Sequence, residues 1–157
     1  MREKDAVQLF DEFSRKLKAD VKDLIDAKKP SLELAEAPNV KIFYLDGKPF
    51  FAATKDGLIP TLLFEKALLL LPRITVNMGA IPYVCNGADV LAPGVVRTEG
   101  VFAVGDLVLV VDERHGKPLA VVSALVDSQA ASGLKRGKLA RNLHYVGDAL
   151  WGMLRKA

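Results

Sequence analysis

The sequence has almost none of the residues that carry covalent chemistry. Its 157 residues include one cysteine, Cys85, and two histidines, His115 and His144. A single thiol excludes an internal disulfide framework, and one thiol with two imidazoles leaves no credible ligand set for a metal site. No serine stands in a nucleophile elbow and no glycine-rich phosphate loop occurs. The expectation is therefore no catalytic constellation, no metal and no cofactor. Long hydrophobic runs are missing as well. The longest, in "ALLLLP" at 67–72, falls far short of the roughly 20 residues that cross a bilayer. The opening "MREKDAVQLFDEFSRKLK" is charged throughout and has no secretory pattern, so a cytoplasmic setting away from membranes is expected.

What is present suffices for a core. Half the residues are hydrophobic and 26% are charged, the balance of an ordinary globular chain. Charge is uneven along it. Residues 1–72 hold 12 Lys/Arg and 12 Asp/Glu, whereas residues 73–157 hold 10 and 7, so the second half supplies the whole net charge of +3. Lys135, Arg136, Lys138 and Arg141 cluster in "KRGKLAR", and Arg155–Lys156 lie near the end. That placement points to an anionic partner for the second half.

Two halves also differ in pattern. Phe10, Phe13, Leu17, Val21 and Leu24 recur at spacings of three and four, which predicts one amphipathic helix over about residues 5–27. "KKP" at 28–30 should end it. "SLELA", "NVKIFYL" and "KPFFAAT" read as strands, the last two joined by the hairpin signal Asp46-Gly47. A second helix is predicted from Pro60 through "TLLFEKALLLL" to Pro72. Beyond Pro72, "RITVN", "DVLAP", "LVLVVD", "PLAVVSALV" and "ALWGML" read as short strands separated by turns, the signature of a compact barrel. The predicted organisation is an α+β unit over 1–72 and a β-rich unit over 73–157.

The most punctuated stretch is "GAIPYVCNGADVLAPGVV", residues 79–96. Gly79-Ala80 marks the passage from a strand into a short helix, Asn86-Gly87 stops that helix, and Pro93-Gly94 turns the strand that follows. Two readings stand at this point. The glycines serve as helix caps, or they leave room for a backbone such as a phosphodiester to come close.

"VNMGAIPYVCNGADVLAPGVV", "VGDLVLVV" and "KRGKLARNLHYVGDALW" follow one another in that order within residues 73–154. Together they resemble the PUA domain, the RNA-binding fold of pseudouridine synthases and archaeosine transglycosylases. "NLHYVGDALWGM" and "DGLIPTLLFEKALLLLPRITVNMGAI" are similar, more narrowly, to the malignant-T-cell-amplified-sequence family and its archaeal relatives. The resemblance implies a small N-terminal α+β pre-PUA domain followed by a PUA β-pseudobarrel. It further implies a non-enzymatic, RNA-binding role in translation, with tRNA or small-subunit ribosomal RNA as ligand in initiation or recycling. The small ribosomal subunit and a density-regulated-like protein are the partners it suggests. Carried to this sequence, the RNA surface is Gly79, Ala80, Asn86, Gly87, Ala88, Asp89, Pro93, Gly94 and Arg97, supported by Lys135, Arg136, Lys138 and Arg141. Two other roles compete: an accessory protein that positions RNA for a separate modification enzyme, and a protein–protein adaptor.

Several other residues are better placed as structure. Cys85 is expected to pack as a small hydrophobe in the short helix, His115 to face solvent and His144 to pack or hydrogen-bond. Trp151, Phe50 and Phe51 are expected in the core, with an aromatic RNA platform at Tyr44, Phe50 and Phe51 as the alternative.

Overall fold

The computed structural model describes residues 3–25 and 32–156, so "KKP" at 28–30 lies outside the described residues. The chain divides into two compact units, Met1–Leu70 and Leu71–Ala157.

In the first unit, helix α1 spans Glu3–Leu17 and stops ten residues earlier than its apolar stripe predicts. Lys18 takes a left-handed φ of 57°, and Asp20 then caps a single turn, Val21–Leu24, by accepting the Lys22 N–H. Ser14 Oγ accepts the Val21 N–H at 2.9 Å and ties the two pieces together. Phe13, Leu17 and Val21 remain buried, so the stripe's periodicity survives the break.

A four-stranded antiparallel sheet follows in the order β1 (Leu32–Ala37), β2 (Val40–Leu45), β3 (Lys48–Thr54), β4 (Gly57–Pro60). Asp46 and Gly47 both adopt positive φ, 50° and 80°, which suits the twist of a two-residue hairpin. Opposite Phe43–Tyr44 the register skips one residue of β3, Phe50. This bulge lets the consecutive Phe50 and Phe51 both be buried. They pack with Phe13 at ring distances of 5.3 and 4.4 Å, and Phe64 lies 4.4 Å from Phe50. These two rings are core, not a platform. Strand β4 replaces the predicted start of the second helix. Pro60 pairs opposite Phe51 at the end of a ladder, and the helix α2 shrinks to one turn, Glu65–Leu68.

The second unit is a six-stranded sheet in the order β6-β10-β9-β8-β5-β7. Its strands are β5 (Arg73–Val76), β6 (Val90–Leu91), β7 (Val95–Glu99), β8 (Leu107–Asp112), β9 (Pro118–Ala124) and β10 (Lys138–Tyr145). Only β5 and β8 pair in parallel. Ile74, Val76, Val84, Val90, Phe102, Val108, Val110, Val122 and Leu139 share one core. Helix α3 (Ile81–Val84) follows β5, and α4 (Ser128–Gly133) follows β9.

Two expectations fail here. "ALWGML" is not a strand but part of helix α5, Ala149–Lys156. Asp148 starts it by accepting the Trp151 N–H at 2.6 Å, Leu150 and Leu154 are buried, and Trp151 is only partly so. The last strand is instead β10, whose sequence "KLARNLHY" alternates poorly. Register shifts at Lys138/Ala140 and Asn142/His144 insert an extra residue at each place, so its apolar residues lose the period of two.

Candidate nucleic-acid interface

Asn77 organises the entry to the punctuated stretch. Its Oδ1 accepts the Ala80 N–H at 2.9 Å, closing a tight turn over Met78–Ala80, and its own N–H donates to the Gly94 carbonyl at 2.9 Å. Ile81 and Val84 face inward on α3, which leaves Tyr83 70% exposed. Gly87 then turns the chain with φ of 92°.

These elements enclose a groove of about 300 Å³ with walls that are mainly apolar. Asn77, Gly79, Ala80 and Tyr83 line one margin, and Ala88, Asp89, Leu91, Pro93 and Gly94 complete it. Six of the predicted residues thus meet in one place: Gly79, Ala80, Ala88, Asp89, Pro93 and Gly94. Asn86 and Gly87 follow α3, exposed, and do not line the groove. Arg97 lies on β7 with its Nε 3.2 Å from Glu99 Oε1, and it borders a separate hollow with Val96 and Leu134.

Two glycines are explained by neighbours within the chain. A Cβ on Gly94 would stand 3.1 Å from Ala80 Cβ, and one on Gly87 would stand 3.2 Å from the Tyr145 hydroxyl. Gly79 is different: its nearest neighbour would be Asn77 Oδ1 at 3.4 Å.

Strand β10 brings the basic cluster to the groove. Lys138 sits opposite Leu91 in the ladder, and the Gly137 carbonyl accepts the Ala92 N–H at 2.9 Å. Lys135 and Arg136 are exposed in the turn before it, and Arg141 is exposed further along the strand. Lys138 Nζ lies 3.1 Å from Asp89 Oδ2. Asp89 Oδ1 accepts the Asn142 N–H at 3.0 Å. That backbone bond, with help from Lys138 and Arg141, outweighs burial and holds the Asp89 carboxyl below its usual range. Asn142 Nδ2 donates to the Val84 and Ala88 carbonyls at 3.0 and 3.1 Å, so one side chain fastens the end of α3 to β10.

Sequence reasoning missed Tyr83, Leu91 and Asn142. The signal for Tyr83 was the α3 spacing, in which Ile81 and Val84 turn inward and push the ring out. Asn142 gave no local signal, because its partners lie more than fifty residues away. Cys85 caps α3 half-buried, with burial raising its thiol pKa, and His115 is exposed. His144 is fully buried, its Nδ1 2.9 Å from Asp148 Oδ2. Among the described residues no cluster of His, Cys, Asp or Glu could hold a metal ion, and no helix is long and apolar enough to cross a membrane.

Residues 72–146 match the PUA domain, and residues 1–66 match a domain of unknown function, DUF1947. An uncharacterized protein of Methanocaldococcus jannaschii, MJ1432, is 40% identical over 130 residues, covering 82% of this chain and 80% of the relative. Human malignant T-cell-amplified sequence 2 is 32% identical over 66% of this chain and 60% of its own length. The chain belongs to the PUA-domain proteins, and the malignant-T-cell-amplified-sequence proteins are among its relatives. Yeast (Saccharomyces cerevisiae) translation machinery-associated protein 20 shares 27% identity with it over 84% of the chain and 77% of the relative. A PUA-domain crystal structure from Aeropyrum pernix, solved as a tartrate complex, superposes with a TM-score of 0.81 at 30% identity, covering 99% of this chain and 89% of that one. This PUA-family chain is thus an α+β protein whose second unit carries the groove.

Proposed function

We propose that the protein binds RNA in the translation machinery, gripping tRNA or small-subunit ribosomal RNA during initiation or recycling. The carrying observation is the adjacency of the groove to Lys135, Arg136, Lys138 and Arg141, which the β6–β10 pairing creates. Cations hold phosphates while a mainly apolar groove, whose one acid Asp89 is paired with Lys138, admits the strand between them, a combination that recognises RNA by shape and stacking without chemistry. Residues 73–157 act as the RNA-binding domain and residues 1–72 as the pre-PUA domain, and the small ribosomal subunit and a density-regulated-like protein are the partners that the family resemblance suggests. The role is non-catalytic and cytoplasmic.

Co-sedimentation with small ribosomal subunits, at low and physiological salt and with or without deacylated tRNA, tests this reading. Retention at physiological salt that disappears when the four basic residues become alanine supports it. Binding to free tRNA without retention on subunits moves the role to RNA modification, as a positioning protein for a separate enzyme. Indifference to RNA at every salt leaves the adaptor role.

A further inference from the structure

Two cations stand outside the groove and have no place in the reading above. Arg114 and Lys117 belong to the exposed turn between β8 and β9, which starts from the buried Asp112. Asp112 accepts the backbone N–H groups of His115, Arg114 and Lys117 at 2.6, 2.9 and 3.0 Å. These bonds, that of His115 foremost, hold its carboxyl below the usual range. Its charge is spent on the amides of its own turn. Glu113 is engaged as well, since its Oε1 accepts the Met78 N–H at 3.2 Å. Among the described residues neither Arg114 nor Lys117 forms an ion pair.

The Glu113–Met78 bond also fixes where this turn lies. Met78 is flanked by Asn77 and Gly79, both of which line the groove. β5 and β8 run parallel with Val76 opposite Asp112, so the strand that enters the groove and the strand that enters the turn end side by side. Cations therefore adjoin the groove in two places: β10 beside Asp89 and Leu91, and the β8–β9 turn beside Asn77 and Gly79.

We propose that Arg114 and Lys117 form a second phosphate contact, which carries the RNA strand out of the groove along the β8–β9 turn. This inference rests on the RNA-binding reading. Two cations on a turn already ordered by Asp112 hold the phosphodiester backbone with little further loss of freedom, and they read no base.

Fluorescence-anisotropy titrations over a range of salt, with deacylated tRNA and with a trinucleotide as probes, test it. Wild type is compared with Arg114→Ala/Lys117→Ala and with the variant lacking the four basic residues. Both alanine changes keep the backbone N–H groups that bind Asp112, and circular dichroism checks the fold. For tRNA the turn variant should bind several-fold more weakly at physiological salt, and its log–log salt slope should flatten by about 1.4, two contacts at about 0.7 each. The trinucleotide, which occupies the groove alone, should bind the turn variant as it binds wild type.

A turn variant with wild-type slope and affinity, beside a four-base variant that loses both, overturns this inference and leaves the groove reading intact. Equal weakening of the trinucleotide also overturns it, because the turn then acts by shaping the groove. No salt-dependent binding by wild type removes the RNA reading and this inference with it.

Discussion

Asp89 and Lys138 meet at 3.1 Å, joining the approach to β6 to the start of β10. The same carboxylate accepts the Asn142 N–H, so this acid at the edge of the groove acts as a fastener. Asp89→Asn removes a negative charge beside the proposed RNA path and releases Lys138. Affinity for deacylated tRNA should hold or rise, while stability in urea falls by about 1 kcal/mol for the weakened bonds. A clear loss of tRNA affinity in the folded variant would show that Asp89 contacts the ligand directly.

Gly94 and Ala80 pack so closely that even one methyl group is felt. With 3.1 Å between a Cβ on Gly94 and Ala80 Cβ, Gly94→Ala should cost about 1–2 kcal/mol by overpacking. It should also weaken RNA binding by shifting the entry to α3. Gly94→Asp adds a charge at the same place and should weaken binding further. The second change Ala80→Gly restores the space, so the double variant Ala80→Gly/Gly94→Ala should regain most of the affinity in the same titration. Failure of that rescue would mean that Gly94 matters through something other than its distance from Ala80.

How far the sequence could be read follows from where each signal lay. The hairpin at Asp46-Gly47 was legible because two adjacent residues that tolerate positive φ were needed, and they took it. The break at Lys18 was not, since the apolar stripe continues through Val21 and hides a left-handed residue on the polar side. A six-residue run such as "ALWGML" fits a buried strand or a helix equally well by periodicity. The decision came from Asp148, which caps α5 at its start. Strand β10 escaped because two bulges scramble its alternation. For the site, residues 76–94 are contiguous and their glycines and prolines marked them. Asn142, Glu113 and Tyr145 reach the same region from distant positions, and no local pattern announces such contacts.

Tyr83 offers its ring to solvent at the groove margin, 70% exposed, next to an exposed Leu91. An unpaired base can stack there, and such stacking contributes about 1–3 kcal/mol per base by alanine substitution. Tyr83→Ala should therefore weaken binding of single-stranded RNA by about 5- to 140-fold, the same range of energy. Tyr83→Phe should retain the affinity, because the face of the ring and not its hydroxyl makes the contact. Neither change should alter the salt slope, since no phosphate contact is lost. Equal affinity of Tyr83→Ala and wild type would place the base elsewhere.

Asp148 is one of the carboxylates, with Asp89 and Asp112, that should contribute to the acid limb of stability. It accepts from His144 Nδ1 at 2.9 Å and from the Tyr145 and Trp151 N–H groups at 3.0 and 2.6 Å. Burial alone would raise its pKa, but the His144 contact and the two backbone bonds prevail and lower it. Its folded value thus lies below the unfolded reference of about 3.9. The stabilisation is complete above that reference and is lost as pH falls through the folded value. Asp148→Ala leaves His144 buried without this partner and α5 without its cap. It should cost about 2–4 kcal/mol in urea denaturation at neutral pH, combining a lost cap with the loss of a buried hydrogen bond. As pH falls from the unfolded reference through the folded value of Asp148 the gap between wild type and variant should narrow, because the wild-type carboxylate becomes protonated too. Urea titrations at pH 7 and at successively lower values down to about 2.5 measure that gap. A gap that stays constant across the series would mean that the Asp148 charge contributes nothing and that only its shape holds α5.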